Sequence, residues 1–214
     1  MDEKWGEILH HFERVPEDHW LERWQTVLET SSDGPILELG CGRGHDAHFL
    51  TELGFTVIAT DFSKEALDLT RRRAPDARLE NVDLTRGLPF PDAAFRVVVA
   101  SLSLHYFPWR QTEKILDDVR RCLKPHGHLL ARFNSTRDPH YSAAEKQQIE
   151  TNFYLVGGMP KRLFDRTSVD ALFEKGWEKV EADERVTRRY GEEKVVWEGA
   201  ARKAESEGRQ AGAC

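Results

Sequence analysis

Three alternating glycines follow a short apolar run near residue 40 and form the part of the sequence best suited to chemistry. The apolar run is Ile36–Leu39, which contains the acid Glu38 and leads into Gly40, Gly42 and Gly44. Glycine permits backbone angles and a close approach to a ligand that any Cβ atom would obstruct. The pattern predicts a buried strand, a ligand-binding turn and a helix that begins near residue 45.

The spacing of the glycines indicates which kind of ligand the turn suits. A dinucleotide fingerprint has the form GxGxxG, which places a pyrophosphate on the N-terminus of the following helix. Here Gly44 comes one position early, and His45 stands where that motif has its last glycine. The carboxylate of Glu38 before the turn also suits a cationic ligand better than a phosphate.

Two further acids follow the next two predicted strands. Asp61 ends the apolar run 55–60, and Asp83 follows the run 77–82. An acid at the tip of the second strand can accept hydrogen bonds from both hydroxyls of a ribose. Taken alone, Asp61 could instead cap the helix beginning near Ser63, and Asp83 could be an ordinary turn residue. Their coincidence with the glycine turn favours a nucleoside-binding site.

These motifs together resemble the class I S-adenosylmethionine-dependent methyltransferases, whose first motif has the form E/DxGxGxG. The resemblance covers at least residues 36–135, and it implies that Asp61 holds the ribose, Phe62 lies against the adenine and Asp83 holds the adenine amino group. Cys41 stands where many family members also have a cysteine, and we do not expect it to act as a nucleophile. The predicted residues for binding S-adenosylmethionine are Glu38, Gly40, Cys41, Gly42, Gly44, Asp46, Asp61, Phe62, Asp83, Leu84 and Ser101.

Strand and helix patterns alternate along the chain, which implies a parallel sheet covered on both faces. Strands are predicted at 36–40, 55–60, 77–82, 95–101 and 129–133, with helices near 45–53, 63–73 and 110–123 and a turn at 124–128. Residues 177–187 and 194–201 resemble the closing antiparallel strands of the family. The expected fold is therefore α/β and Rossmann-like, the class I methyltransferase fold, with a seven-stranded, mostly parallel sheet, helices on both faces and an antiparallel closing strand.

The chain is expected to form one domain with small additions. We predict an N-terminal helical cap at 1–30, a methyltransferase domain at 31–202 and a polar tail at 203–214. Residues 134–164 have a less regular pattern, and such insertions tend to be lids or binding segments. The resemblance implies that the acceptor is recognised there.

Residues that could contact the methyl acceptor lie after the fourth and fifth strands. His105 and Tyr106 follow the fourth strand at the functional edge and are the predicted catalytic residues, for acceptor contact or proton removal. His105 could equally be a hydrogen-bonded residue that orients a loop. Tyr154 with Arg162 could bind an anionic group. The predicted substrate-binding residues are Asn134, His140, Tyr141, Tyr154 and Arg162, with His10, His11, Trp20 and Trp24 as weaker candidates in the N-terminal cap.

Composition narrows the functional classes. The 214 residues are 39% hydrophobic and 32% charged, with no run of 18 apolar residues and no secretory pattern at the N-terminus, so we expect a cytoplasmic protein without membrane contact. The formal net charge of −6 disfavours nucleic acid as a partner. Three scattered cysteines predict neither a disulfide framework nor a structural zinc site, and no metal is expected.

The sequence thus predicts an S-adenosylmethionine-dependent methyltransferase, monomeric or homodimeric, that acts on a small-molecule acceptor. It is loosely similar to the thiopurine and tellurite branch of the family. The absence of a D/NPPY-type motif after the fourth strand argues against methylation of DNA base amino groups. An RNA-modifying methyltransferase and a non-catalytic, cofactor-binding scaffold remain as alternatives.

Overall fold

A seven-stranded sheet forms the centre of the part of the chain that the computed structural model describes, which comprises residues 18–141, 146–188 and 193–205. Its strand order is β3-β2-β1-β4-β5-β10-β9. Strands β1 to β5 pair in parallel, whereas β10 is antiparallel to both β5 and β9. This confirms the predicted fold. The strands of the described chain are β1 Ile36–Leu39, β2 Val57–Asp61, β3 Arg78–Asn81, β4 Phe95–Ser101, β5 Leu123–Asn134, β6 Lys146–Glu150, β7 Phe153–Val156, β8 Met159–Arg162, β9 Trp177–Thr187 and β10 Lys194–Lys203.

Helices cover both faces of the sheet, as predicted. Two of them begin at side-chain caps. Ser63 Oγ accepts a hydrogen bond from the Ala66 amide before the helix that begins at Lys64, and Asp165 forms a capping box with Ser168 before the helix that begins at Arg166. The main helices of the described residues are α1 His45–Glu52, α2 Lys64–Arg73, α3 Trp109–Cys122 and α4 Arg166–Leu172. Shorter helical turns occupy Glu22–Trp24, Gln25–Leu28, Glu29–Ser31, Leu84–Arg86 and Leu104–Tyr106. None of the helices in the described ranges combines the length and hydrophobicity needed to span a bilayer.

The sheet is buried on both faces, which explains why its strands read as continuous apolar runs rather than as alternating ones. Along β5, Leu129, Ala131 and Phe133 belong to one core cluster, whereas Leu130 belongs to the cluster on the opposite face. Helices α3 and α4 pack in the first cluster. Helices α1 and α2, together with the segment 20–28, pack in the second.

The N-terminal segment is held to the sheet by a buried ion pair. Arg132 on β5 has a fully buried side chain, and both of its terminal nitrogens donate to the carboxylate of Asp18, at 3.1 and 2.7 Å. The guanidinium also lies 5.2 Å from the centre of the Trp20 ring. Trp20 and Trp24, two weaker candidates for the acceptor pocket, are thus buried in the core cluster. His10 and His11 lie outside the described residues.

Two sequence-based expectations about local structure are modified. The turn expected at 124–128 is counted within β5, but β4 pairs only with Leu123 and His128 around it, so residues 124–127 bulge out of the ladder and His126 has a φ of 60°. The segment 134–164 is more regular than expected, because β6, β7 and β8 form an antiparallel sheet. Gly157 and Gly158 join β7 to β8 with φ values of 55° and 78°, the conformation that a two-residue hairpin turn requires.

Removing the negative charge of Asp18 tests the buried ion pair. We expect Asp18→Asn to lower the free energy of unfolding by ~3 kcal/mol, because it leaves the Arg132 guanidinium buried with only part of its compensation. The measurement is urea denaturation followed by circular dichroism. Asp33→Asn is the matched control, since Asp33 is 59% exposed and pairs with Arg96 and Lys124 at 3.7 and 3.9 Å. Equal losses in the two variants would contradict the assigned role of Asp18.

Candidate active site

The three glycines of the loop between β1 and α1 meet different constraints. All have left-handed backbones, with φ of 71° at Gly40, 54° at Gly42 and 73° at Gly44. A Cβ atom on Gly40 would lie 2.5 Å from Cβ of Ser103, and one on Gly44 would lie 2.9 Å from Cα of Thr70. At Gly42, apart from its two chain neighbours, no atom of the described residues lies within 4 Å of that position. Packing within the protein therefore requires the outer two glycines, whereas Gly42 faces open space that a ligand can enter.

Asp61 lies at the end of β2 and is oriented by this loop. Its Oδ2 accepts a hydrogen bond from the Gly42 amide at 3.0 Å, and its Oδ1 accepts one from the Ser63 amide at 2.9 Å. Each carboxylate oxygen can accept two hydrogen bonds. The two backbone amides thus fix the direction of the carboxylate at the end of β2.

Carboxylates give the loop a negative electrostatic environment. Burial raises the pKa of the Cys41 thiol well above its usual value, and the nearby charges of Glu38 and Asp61 raise it further. Cys41 is consequently a neutral thiol, which agrees with the expectation that it is not a nucleophile. Glu38 and Asp46 are themselves buried beside the loop. This arrangement favours a cationic ligand, such as a sulfonium, over an anionic one.

The residues predicted to bind the adenine lie at the same edge of the sheet. Phe62 is 37% exposed and directly follows β2, and Leu84 is partly buried. Asp83 accepts hydrogen bonds from the amide and hydroxyl of Thr85, and the hydroxyl contact is the largest cause of its lowered pKa. Sequence reasoning missed Asn81, whose side-chain amide donates to the carbonyl oxygens of Asp61 and Phe62 at 3.0 and 2.8 Å. Asn81 therefore ties the ends of β2 and β3 together.

The end of β4 continues the edge towards the predicted catalytic residues. Ser101 Oγ, Ser103 Oγ and His105 Nδ1 are buried without a hydrogen-bond partner among the described residues. The centre of the His105 ring lies 4.0 Å from that of Tyr106. Burial lowers the pKa of His105 well below 6.5, and the charges of Lys161 and Lys194 lower it further. The imidazole is therefore neutral at pH 7.

The structure brings together some predicted acceptor residues and separates others. Asn134 is fully buried at the end of β5. Lys194 Nζ donates a hydrogen bond to the Tyr141 hydroxyl, and the charge of Lys194 also lowers the pKa of His105. His140 is exposed, and its Nε2 contacts the carbonyl oxygen of Glu193 at 2.7 Å.

Arg162 and Tyr154, the pair suggested for an anionic group, differ in their surroundings. The Arg162 guanidinium is engaged by the Glu150 carboxylate and by the carbonyl oxygen of Thr151, 3.1 Å away. Tyr154 is half-buried, with Lys146 Nζ 5.1 Å from its ring centre. Lys161 and Lys194 escaped sequence reasoning, because isolated lysines in a sequence look like solvated surface residues.

Comparison with known proteins agrees with this geometry. A family described as "Methyltransferase domain" matches residues 36–127. A fatty-acid O-methyltransferase from Mycolicibacterium smegmatis is 32% identical over 154 residues, which cover 64% of this chain and 54% of the relative. A cypemycin N-terminal methyltransferase from a Streptomyces species is 37% identical over 122 residues, which cover 56% of this chain and 48% of the relative. The chain spans about half the length of these relatives.

Solved structures share the fold. A protein described as an S-adenosylmethionine-dependent methyltransferase, from Methanosarcina mazei, superimposes with a TM-score of 0.74 at 20% identity, covering 84% of this chain and 98% of that one. The PH0226 protein from Pyrococcus horikoshii gives a TM-score of 0.69 at 20% identity, covering 86% and 89%. By its matched residues 36–127, by the fold that it shares with the solved structures and by its glycine loop, the chain is similar to the S-adenosylmethionine-dependent methyltransferases.

Proposed function

We propose that this protein transfers a methyl group from S-adenosylmethionine to a small-molecule acceptor. The observation that carries the proposal is the left-handed position of Gly42, which no described side chain obstructs. The Gly42 amide donates a hydrogen bond to the Asp61 carboxylate at the carboxyl edge of the sheet. When bound, S-adenosylmethionine supplies a methyl group already activated by its sulfonium charge. The protein then has to bind the cofactor and the acceptor, orient them and exclude water.

The residues around the loop fit that ligand by their chemistry. The Asp61 carboxylate, which the Gly42 and Ser63 amides orient, is the proposed hydrogen-bond acceptor for the ribose hydroxyls, and Gly42 allows the ligand to lie against the backbone. The charges of Glu38 and Asp61, which act on the centre of the loop, favour a cation. Phe62 and Asp83 remain the proposed contacts for the adenine ring and its amino group.

His105 is the proposed acceptor-contacting residue on the other side of the loop. It follows Ser103, whose Cβ lies against Gly40, and its ring is neutral because of burial and the neighbouring lysine charges. A neutral imidazole can accept a hydrogen bond or a proton from an acceptor, although a lowered pKa makes it a weaker base than free imidazole. Holding the acceptor in line is therefore its main proposed task, with proton removal as the second.

A small-molecule acceptor is favoured over nucleic acid by charge and burial. The chain has a formal net charge of −6, and the polar groups near His105 are buried rather than spread over an exposed basic face. The similar fatty-acid O-methyltransferase and cypemycin N-terminal methyltransferase support a non-nucleic-acid acceptor. Since their names refer to different acceptor groups, they do not identify the atom methylated by this protein.

Adding one methyl group at Gly42 tests the close approach of the cofactor. We expect Gly42→Ala to weaken S-adenosylmethionine binding by about tenfold or more, since the Cβ would enter the space left for the ligand. Gly54→Ala is the control, because Gly54 also has a positive φ, 84°, with nothing within 4 Å of a Cβ. Both variants should lose about 1 kcal/mol of stability from the left-handed backbone. Calorimetric titration that finds equal affinity in the two variants would rule out the contact.

Neutralising Asp61 tests the assignment to the ribose. Asp61→Asn is expected to weaken binding of S-adenosylmethionine and of its demethylated product by about 10- to 100-fold, the loss typical of hydrogen bonds to a charged group. Asp68→Asn on the exposed side of α2 removes the same charge and should leave affinity unchanged. Calorimetry provides the affinities, and thermal unfolding verifies that the loop has not simply collapsed. Unaltered affinity in a folded Asp61→Asn protein would refute the assignment.

Replacing His105 separates acceptor handling from cofactor binding. We expect His105→Gln to reduce turnover by about tenfold or more while leaving cofactor affinity within a factor of about two. His128→Gln is the control, because burial also lowers the pKa of His128 but that residue lies within β5 and pairs with Val97, well before the carboxyl end of β4. Imidazole NMR signals of the wild-type protein should show His105 still neutral at pH 6, where a solvated histidine is largely protonated. Normal turnover in the variant would leave His105 only a structural role.

A further inference from the structure

Three lysine ammonium groups converge on the ring of Tyr141, and the charges of two of them, Lys161 and Lys194, act on His105. Their Nζ atoms lie 5.9 Å (Lys146), 5.4 Å (Lys161) and 5.1 Å (Lys194) from the centre of the ring. Lys194 Nζ also donates a hydrogen bond to the Tyr141 hydroxyl at 3.1 Å. The three lysines belong to β6, β8 and β10, so both sheets contribute to this lysine cluster.

Positive charge exceeds negative charge in the lysine cluster. The carboxylate that acts on all three ammonium groups is Asp138, which is 3% exposed and has its Oδ2 3.7 Å from Lys194 Nζ. Within the described ranges, neither Lys146 nor Lys161 forms an ion pair with a carboxylate. Among the described residues, three cations thus face one carboxylate, and the side chains of Lys161 and Lys194 are the more deeply buried of the three.

Burial makes this excess charge costly for the protein. The Lys194 side chain is only 14% exposed, and burial lowers its pKa to about 8, with the charges of Lys161 and Arg132 acting in the same direction. Burial also lowers the pKa of Lys161 and that of Lys146. Like charges held close together out of water destabilise a fold unless an anion compensates them. The cluster therefore has the electrostatic character of an anion-binding site.

Buried polar groups connect the lysine cluster with the glycine loop. Asn134 is fully buried, and neither its amide oxygen nor its amide nitrogen has a hydrogen-bond partner among the described residues. It pairs with Val196 across β5 and β10, and Lys194 lies two residues further along the same face of β10. The helical turn that contains His105 packs against β5 and β8, and Ser103, which precedes it, packs against Gly40.

We propose that Lys146, Lys161 and Lys194, arranged around Tyr141, bind an anionic oxygen group, a carboxylate or a phosphate, on the methyl acceptor. The assignment to the acceptor rests on the proposed methyltransferase function, whereas anion binding by the cluster does not. The proposal moves the anion site away from Arg162, whose guanidinium is already held by Glu150 and by backbone carbonyl oxygens. It also gives Asn134 a role as a neutral hydrogen-bonding group beside the charged ones.

Binding of simple anions to the full-length protein tests the proposal without the cofactor. The probes are benzoate, phenyl phosphate and the uncharged benzamide, titrated into protein with ¹³C-labelled lysine. The NMR signals of the lysine Cε groups are followed and assigned with single lysine-to-methionine variants. We expect the signals of Lys161 and Lys194 to shift with at least one anion and not with benzamide. A response to benzoate alone would identify a carboxylate site, and a stronger response to phenyl phosphate would identify a phosphate site.

A pair of double variants controls for net charge. Lys161→Met with Lys194→Met is expected to weaken anion binding by about tenfold or more, through loss of two charge-assisted contacts. Lys64→Met with Lys175→Met removes the same charge from exposed positions and should leave the affinity unchanged. If the first double variant fails to fold, Lys161→Met alone serves, because Lys161 lacks the hydrogen bond that Lys194 makes to Tyr141.

The outcomes separate this inference from the proposed function. Equal shifts at Lys64, Lys175 and the cluster lysines, or no shift at the cluster, would overturn the anion site. Calorimetry with S-adenosylhomocysteine is run on the same protein. Cofactor-product binding without anion binding would remove the inference and leave the methyltransferase proposal standing. Anion binding without cofactor-product binding would remove the methyltransferase proposal and leave an anion site that does not serve methyl transfer.

Discussion

Two contacts that are too close for any Cβ atom hold the site together. Gly40 lies against the Ser103 side chain, and Gly44 lies against the backbone of Thr70. These contacts fix the loop between the end of β4 and helix α2, and only there can the Gly42 amide reach the Asp61 carboxylate. The same arrangement brings Ser103, and with it the turn that contains His105, to the edge of the loop. The proposed cofactor side and the proposed acceptor side are therefore positioned by one packing constraint.

The parts of the fold that could be predicted were those buried on both faces. Continuous apolar runs such as Phe95–Ser101 give a strong signal because every side chain in them meets the core. The small sheet of β6, β7 and β8 escaped prediction, since most residues of β6 are exposed and follow no alternating pattern. The double glycine at 157–158 was the one local signal for its hairpin. The turn expected at 124–128 falls inside β5, where β4 pairs with Leu123 and His128 and the residues between them bulge out of the ladder.

The candidate site also contains residues that the sequence reveals and residues that it does not reveal. The glycines and Asp61 can be recognised in the sequence because their roles depend on local backbone geometry at the ends of strands. Lys161 and Lys194 cannot, because a lysine is usually solvated and only tertiary packing excludes water from these two. Arg162 illustrates the opposite error, since it looked available for an anion but is held by Glu150. Burial and partner choice are properties of the assembled fold.

The block that matches the methyltransferase domain family ends at residue 127, before every residue of the lysine cluster and before Asn134. The elements that carry the glycine loop and those that carry the lysines are thus separate stretches of chain that meet at one edge of the sheet. During evolution, the second stretch can change without disturbing the first. Two descendants of one ancestor can then share the glycine loop and the turn that contains His105 and still differ in the proposed anion site, so inheritance of the first stretch carries little information about that site.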